Sequence, residues 1–524
     1  MDVGRIESVD HIGMKPFMVQ CQAFRTPGLP YFALIGLEDA WGDDVRARVR
    51  SAVEEAGLPW PDGRVTVNLS PASVWKRDGV HELAVALSVI DLAGGFTRPA
   101  GLGPSDRIAA IGGLGERGKV TGVRGIVSML ERCRERGVRH VVIPDENLGD
   151  ARMVEGLTLY PVVTLAEAAT RLDSLRGADY SMQDLRGARI QSDWGDDPRL
   201  DGVRDAAMAA AAGRHHMLVR TDMPSRSGVD GIVRCIRSML PRLDEDQTMD
   251  LVRIRDMKGV PGPFGIGLDD LPPLVDPFHL SSFVGMVGDR VLPGYASLAN
   301  HGVLYLDEAT EFSTRPLMGL TKPMDTGEVE STKTRGNPVR WPADFQLAGV
   351  MLRCPCGMPP ASCRCTERDK ARYHLPSPFE ERCAIRIDSA AVRSRTAPGL
   401  AEARAMVTDA RARQDARFAG TGIGSNNRIG TGWLEEHTSQ DVLGLISDYA
   451  GTEEGRLALN TARLAWTMAD LGGHESPDED DALKALGMTM GDEAGREDSD
   501  HASSVCDPAD ALNLEQASPY GMTR

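Results

Sequence analysis

The residues in this chain that could do chemistry lie in three places. Gly302-Val303-Leu304-Tyr305-Leu306-Asp307-Glu308 is an apolar run that ends in two adjacent acids. At a strand end, the first carboxylate of such a pair can hold Mg²⁺ and the second can polarise a water that attacks a γ-phosphate. The same ending is also common by chance. Cys354-x-Cys356-x₆-Cys363-x-Cys365 puts four soft ligands in twelve residues, enough for a tetrahedral Cys₄ zinc site. Free buried thiols or a redox pair are the alternatives. The third place comes after the strand Met217–Val219, where a phosphate loop should supply several glycines and a Gly-Lys-Ser/Thr turn whose amides and lysine cradle phosphate. The chain instead runs Arg220-Thr221-Asp222-Met223-Pro224-Ser225-Arg226-Ser227-Gly228, with one glycine and an acid, and no lysine occurs between Lys119 and Lys258. Arg226 could supply charge there, but its forked guanidinium is a poor replacement for a compact ammonium.

These places need elements to hold them. Residues 1–172 read as alternating short strands and helices: strands at 31–37, 64–69, 107–111, 140–143 and 157–163, and helices at 44–55, 80–92, 126–136 and 165–172. This is an α/β pattern. An Ala-rich helix at 203–212 leads into the strand at 217–219, and a second strand at 302–306 delivers the acid pair. After Pro398 the pattern turns helical, at 400–417, 439–449, 453–471 and 479–486. The Arg-rich helix around 401–417 reads as a solvated face, and His215-His216 as a strand entry.

Composition bounds the rest. The 524 residues suggest three or four domains, each able to bury a core. Apolar stretches are interrupted well short of the roughly 18–20 residues a membrane helix needs, and the N-terminus lacks the features of a secretory signal. The expected location is cytoplasmic, with no membrane partner. Four of nine cysteines crowd into one cluster and the others scatter, which implies no disulfide framework. A net charge of −17 disfavours indiscriminate binding to a polyanion, so any DNA contact must come from local basic patches. Lysine numbers only eight.

The ordered motifs Asp184-Leu185-Arg186-Gly187, Ala210–Gly213, Met239-Leu240-Pro241, Ser297–Glu308, Gly327-Glu328-Val329, Pro342–Leu347 and Cys354-Pro355-Cys356-Gly357 resemble the magnesium-chelatase-like AAA+ family known as YifB or ComM. The resemblance implies a Lon-protease-type N-terminal α/β domain, a P-loop AAA+ α/β core and a C-terminal helical lid. It implies ATP and Mg²⁺ as cofactors and assembly into a ring hexamer, and the family's competence member is a DNA branch-migration helicase. Asp307 and Glu308 match Walker B, Arg382 matches the arginine finger that reaches a neighbouring subunit's nucleotide, and Arg463 matches the sensor-2 arginine. The sensor-1 asparagine falls on Leu352, with Arg353 in place of the following proline. In the front domain the Lon nucleophile falls on His81 and its lysine partner on Val127, which leaves no proteolytic dyad.

The expected division is 1–172, an inactive Lon-type domain; 173–201, a linker; 202–398, the AAA+ core with its Cys₄ insertion; 399–490, the lid; and 491–524, a disordered acidic tail. Without a loop lysine or a sensor-1 amide, the expected function is a degenerate ATPase that acts as a homo- or hetero-oligomeric ring subunit or scaffold in DNA processing. An active Mg²⁺-dependent ATPase and DNA motor, and a zinc-dependent binding module, are the alternatives.

Overall fold

The structure, a computed structural model, describes residues 3–37, 39–77, 79–103, 105–172, 175–176, 194–222, 226–259, 271–331, 338–358, 360–389, 397–450 and 455–490. Two of its strands, β1 (Val3–Ile12) and β2 (Lys15–Thr26), form a long antiparallel hairpin that the sequence pattern did not suggest. The hairpin lies in the middle of its sheet, where both faces are covered. The polar Ser8, Asp10 and His11 are therefore buried beside Ile6 and Val9, and no simple apolar/polar alternation survives.

The strands β3 (Tyr31–Ile35), β4 (Arg64–Ser70), β5 (Ile108–Ala110), β6 (His140–Pro144), β7 (Thr158–Val162) and β8 (Leu175–Arg176) complete an eight-stranded sheet. Its order is β8-β7-β6-β5-β1-β2-β4-β3. Between them run helices α1 (Asp39–Glu55), α2 (Glu82–Leu92) and α3 (Ile126–Glu135). The apolar α2 is buried from Glu82 to Ile90, and it crosses β1 so closely that a Cβ on Gly4 would lie 2.0 Å from the Ser88 carbonyl oxygen.

The core comes next. Helix α4 (Asp201–Gly213) is buried along nearly its whole length and feeds β9 (Met217–Thr221). Then come α5 (Arg226–Met239), α6 (Glu245–Lys258), β10 (Leu274–Val275), β11 (Val303–Leu306), α7 (Thr314–Thr326), a hairpin of β12 (Glu328–Ser331) and β13 (Val339–Pro342), β14 (Gln346–Leu352) and β15 (Ile385–Asp388). The five-stranded sheet has the order β10-β11-β14-β9-β15 and every neighbouring pair is parallel. A parallel sheet covered on both faces explains the short unbroken apolar runs of β11 and β14.

Among the described residues four longer helices follow, α8 (Leu400–Arg417), α9 (Gln440–Ala450), α10 (Arg456–Gly472) and α11 (Glu479–Met490). The first of them departs from the expected solvated face. Arg411 donates to the Ala211 carbonyl, and Arg417 pairs with the fully buried Asp470. Burial pulls Arg411 down to about 9, with Arg214 adding to the effect. These arginines join α8 to α4 and α10 instead of facing water. His215 and His216 are buried, the first bonded to Thr467 at 2.7 Å and the second accepting the Leu347 N–H at 3.0 Å.

The front sheet and the core meet through α6. Asp256 accepts the N–H groups of Gly125 and Val127 at 2.9 and 2.8 Å and so caps the start of α3. Arg253 pairs with Glu131 on the same helix at 2.8 Å. Among the described residues, no helix is long and apolar enough to cross a membrane.

Candidate functional site

Parallel strands deliver their C-terminal residues to one edge, so chemistry collects where β9, β11, β14 and β15 end. Asp307 and Glu308 come directly after β11, Arg353 after β14 and Asp222 after β9, and Asp388 closes β15. Because β14 lies between β11 and β9, Arg353 sits between the acid pair and the start of the phosphate-loop segment. Its Nε donates to Asp222 Oδ1 at 3.0 Å, and its terminal nitrogens pair with Asp388. Its own N–H donates to the Thr221 carbonyl at 3.2 Å. Burial lowers the affinity of Arg353 for its proton, but the two carboxylates outweigh burial and the net shift is upward.

Glu308 has the left-handed backbone conformation, with φ of 51°, which a non-glycine residue adopts only when its surroundings impose it. Its carboxylate lies 3.7 Å from His279 Nδ1. On the far side of Asp222, a cleft of about 440 Å³ is lined by Trp194, Asp196, Asp197, Arg204 and Ser389 as well as Asp222 itself. Asp197 pairs with Arg199, and the buried Arg204 pairs with Asp201. The charges facing this cleft are therefore largely acidic or already neutralised.

The expected site residues do not all gather here. Arg226 is the first residue of α5, and its side chain lies outside the described residues, as does the loop at 223–225. Arg382 donates to Asp325 Oδ2 through Nε and Nη2, at 2.8 and 2.6 Å. Arg463 donates to the Ile429 carbonyl at 2.7 Å; burial, then the charges of Arg456 and Arg428, pull it down to about 10. Asp325 lies in the last turn of α7, and Arg428 bonds both the Met324 carbonyl and Asp344, two residues before β14 begins. Both arginines thus occupy the edge where the strands start. Asp307 and Glu308 occupy the edge where they end, and α7 spans roughly 20 Å between the two.

The four cysteines do gather. Cys354 Sγ lies 3.2 Å from Cys356 Sγ and 3.5 Å from Cys363 Sγ, Cys356 and Cys363 are 3.6 Å apart, and all four sulfurs fall within 4.8 Å of one another. Zinc with Zn–S bonds of about 2.3 Å spaces tetrahedral sulfurs about 3.8 Å apart, so these thiols fit a Cys₄ shell. Gly357, at φ of 63°, makes the turn that folds the first Cys-x-Cys pair back. The Met358 amide and the neighbouring thiols draw Cys356 down to about 6, while burial pushes Cys354 up to about 12.

In the front unit, the two positions expected to hold a nucleophile and its lysine lie at the starts of α2 and α3. His81 is buried and bonds Ser8 Oγ at 3.0 Å and Asp10 Oδ2 at 3.1 Å. Arg77 donates to Asp10 through its backbone N–H and its Nε, both at 2.7 Å, and contacts His11 Nδ1 at 3.0 Å. His11 Nε2 reaches Ser128 Oγ at 2.6 Å. Val127 offers only its backbone N–H, taken by Asp256.

Three comparisons of sequence match this architecture. The family described as "Magnesium chelatase, subunit ChlI" matches residues 200–397, "Subunit ChlI of Mg-chelatase" matches 21–147, and "Magnesium chelatase, subunit ChlI C-terminal" matches 399–489. An uncharacterised Mycobacterium tuberculosis protein, Rv2897c, is 29% identical over 514 residues, covering 93% of this chain and 98% of its own. YifB of Escherichia coli is 26% identical over 72% of this chain and 74% of its own, and the competence protein ComM of Haemophilus influenzae is 24% identical over 68% and 70%. With matches that run in order through sheet, core and helical unit, the chain belongs to the magnesium-chelatase-like AAA+ family that includes YifB and ComM.

Proposed function

We propose that this chain is a ring subunit of the YifB/ComM type that has given up ATP turnover and acts as a scaffold or regulatory partner in DNA processing or competence. The observation that carries the reading is Arg353, held by Asp222 and Asp388 at the strand edge where phosphate would be cradled. Phosphoryl transfer depends on positioning and electrostatics. At this edge the Arg353 guanidinium is already engaged by two carboxylates, and Leu352 stands where the resemblance expects a water-orienting amide. At about 2–4 kcal/mol for each missing donor, turnover should fall by several powers of ten. The position of Arg382 at the opposite edge suits a contact to a neighbouring subunit, which a ring can keep without hydrolysis.

Asp307 and Glu308 support the second reading, an active Mg²⁺-dependent motor, because both acids remain at the end of β11. They suit a divalent cation. Titration with a fluorescent ATP analogue, with Mg²⁺-dependent phosphate release measured beside Glu308→Gln, separates the two readings. Neither tight binding nor release is expected, and release that vanishes in Glu308→Gln overturns the proposal. For the cysteine cluster we expect about one zinc per chain by elemental analysis, lost in Cys354→Ser/Cys363→Ser. Equal metal content in the two proteins would leave the four thiols without a zinc role.

A further inference from the structure

The chain carries a net charge of −17, yet one cleft is lined by five basic side chains and no acid. It measures about 670 Å³ and lies where the β1–β2 hairpin and α3 of the front unit meet the β13 strand of the core. The two units touch there closely: a Cβ on Gly13 would lie 2.6 Å from Val339 Cγ1. Arg107, Arg132 and Arg136 come from one side, Lys15 from the hairpin turn and Arg340 from β13. Ile12, Phe17, Met18 and Val74 give the same cleft an apolar surface.

Not all of these charges are available. Arg107 is held by Glu7 at 2.6 Å, Arg132 by Glu135 at 2.9 Å, and Arg340 lies 3.6 Å from Glu328. Lys15 and Arg136 are exposed and have no acidic partner among the described residues. Arg136 also caps the C-terminus of α3, and its carbonyl accepts from Arg107, so the two guanidinium-bearing residues are held side by side. The exposed pairs exchange cheaply for another anion. A cleft with two uncommitted cations, two more in weak pairs, the bidentate Arg107–Glu7 pair at its side and an apolar surface with one aromatic ring suits a strand whose phosphates track the charges and whose bases rest on the apolar part. A duplex, with its bases stacked inside, would gain nothing from that surface.

We propose that this interdomain cleft binds single-stranded nucleic acid, with Lys15 and Arg136 as its principal phosphate contacts. The inference rests on the DNA-processing part of the proposed function and not on the loss of ATP turnover. Lys15 and Arg136 belong to the front unit, away from the strand edge that carries Asp307 and Glu308, so oligonucleotide binding and phosphate release are read separately.

The test is fluorescence anisotropy of a labelled twenty-nucleotide oligothymidylate with the full chain, at several salt concentrations. Lys15→Glu/Arg136→Glu should weaken binding at least tenfold and flatten the slope of log K against log salt by about 1.4, two contacts at about 0.7 each. Lys15→Gln/Arg136→Gln should weaken it less, and Lys484→Glu on α11 should leave it unchanged. An unaltered thermal midpoint in the variants shows that they fold. Binding by the wild type that survives both double variants overturns the cleft alone, whereas no binding by the wild type removes the DNA role as well. Equal displacement by duplex DNA or by polyglutamate also overturns the proposal.

Discussion

Arg77 in the front unit and Arg353 in the core are each clasped by aspartate, close to positions where the family resemblance expects reactive groups, and their surroundings differ. In the front unit, Arg77 and Asp10 have 9% and 0% of their side chains exposed, and the network around them closes on His81, Ser8, His11 and Ser128. At the core's strand edge, Arg353 is 26% exposed and Asp222 16%, beside a cleft and next to the acid pair. The first arrangement has been absorbed into the hydrophobic core. The second stands at an accessible surface, with the acid pair Asp307 and Glu308 after the neighbouring strand. A clasp at a buried position serves as a structural element, while at an exposed edge it leaves residues that a partner or ligand can reach.

Breaking each clasp measures the difference. Burial alone would raise the Asp10 carboxyl, but the hydrogen bond and charge of His81, with the charge of Arg77, hold it well below the usual carboxylate range. Asp10→Ala removes that anion and leaves Arg77 buried without its partner. Loss of one member of a buried pair costs about 3–5 kcal/mol, so the urea midpoint of the transition that includes the front sheet should fall sharply. A loss under about 1 kcal/mol would mean that water reaches the network and that its burial does not distinguish the two clasps.

Asp256 links the two regions, because it lies on a core helix and caps a front-unit helix. Burial pushes it up to about 7, against the downward pull of the Val127 and Gly125 amides and with a further push from Asp150. An unfolded Asp titrates near about 3.9, so folding takes up a proton between those two values. The stability this group contributes is full below about pH 4 and is lost as pH rises to about 7, by up to ~1.4 kcal/mol per pH unit. Chemical denaturation at pH 5, 6 and 7 should show that component in the wild type and lose it in Asp256→Asn. A slope unchanged in the variant would place the titration elsewhere.

These contacts also mark what could be read from the residues alone. The α/β class, the acid pair, the cysteine cluster and helix 400–417 were legible because each is local: a periodicity, a strand end, a spacing. The β1–β2 hairpin was not, since Ser8, Asp10 and His11 point into a polar network that only the tertiary structure assembles. Asp388 was missed for the same reason. It ends the short run Ile385-Arg386-Ile387-Asp388, and only the parallel pairing of β9 with β14 and β15 sets it opposite Arg353. The Arg-rich helix misled because charge was equated with solvent, whereas Arg411 and Arg417 bond groups in α4 and α10.

The smallest expected effect falls on the exposed clasp. Arg353→Met keeps an unbranched apolar stem and removes the charge and the donors, which takes the guanidinium away from the 5%-exposed Asp388 and lets Asp222 turn toward water. Loss of a hydrogen bond to a charged group costs about 1.5–3 kcal/mol, and the exposure of Asp222 favours the lower end, so the drop should be smaller than in Asp10→Ala under the same denaturation. The nucleotide readout tests the comparison more severely. If the edge is degenerate, removing Arg353 adds negative charge beside the phosphate position and the fluorescent ATP analogue still fails to bind. If Arg353→Met instead gains nucleotide binding, the guanidinium was occupying a competent site, and the clasp is an intramolecular block on the motor.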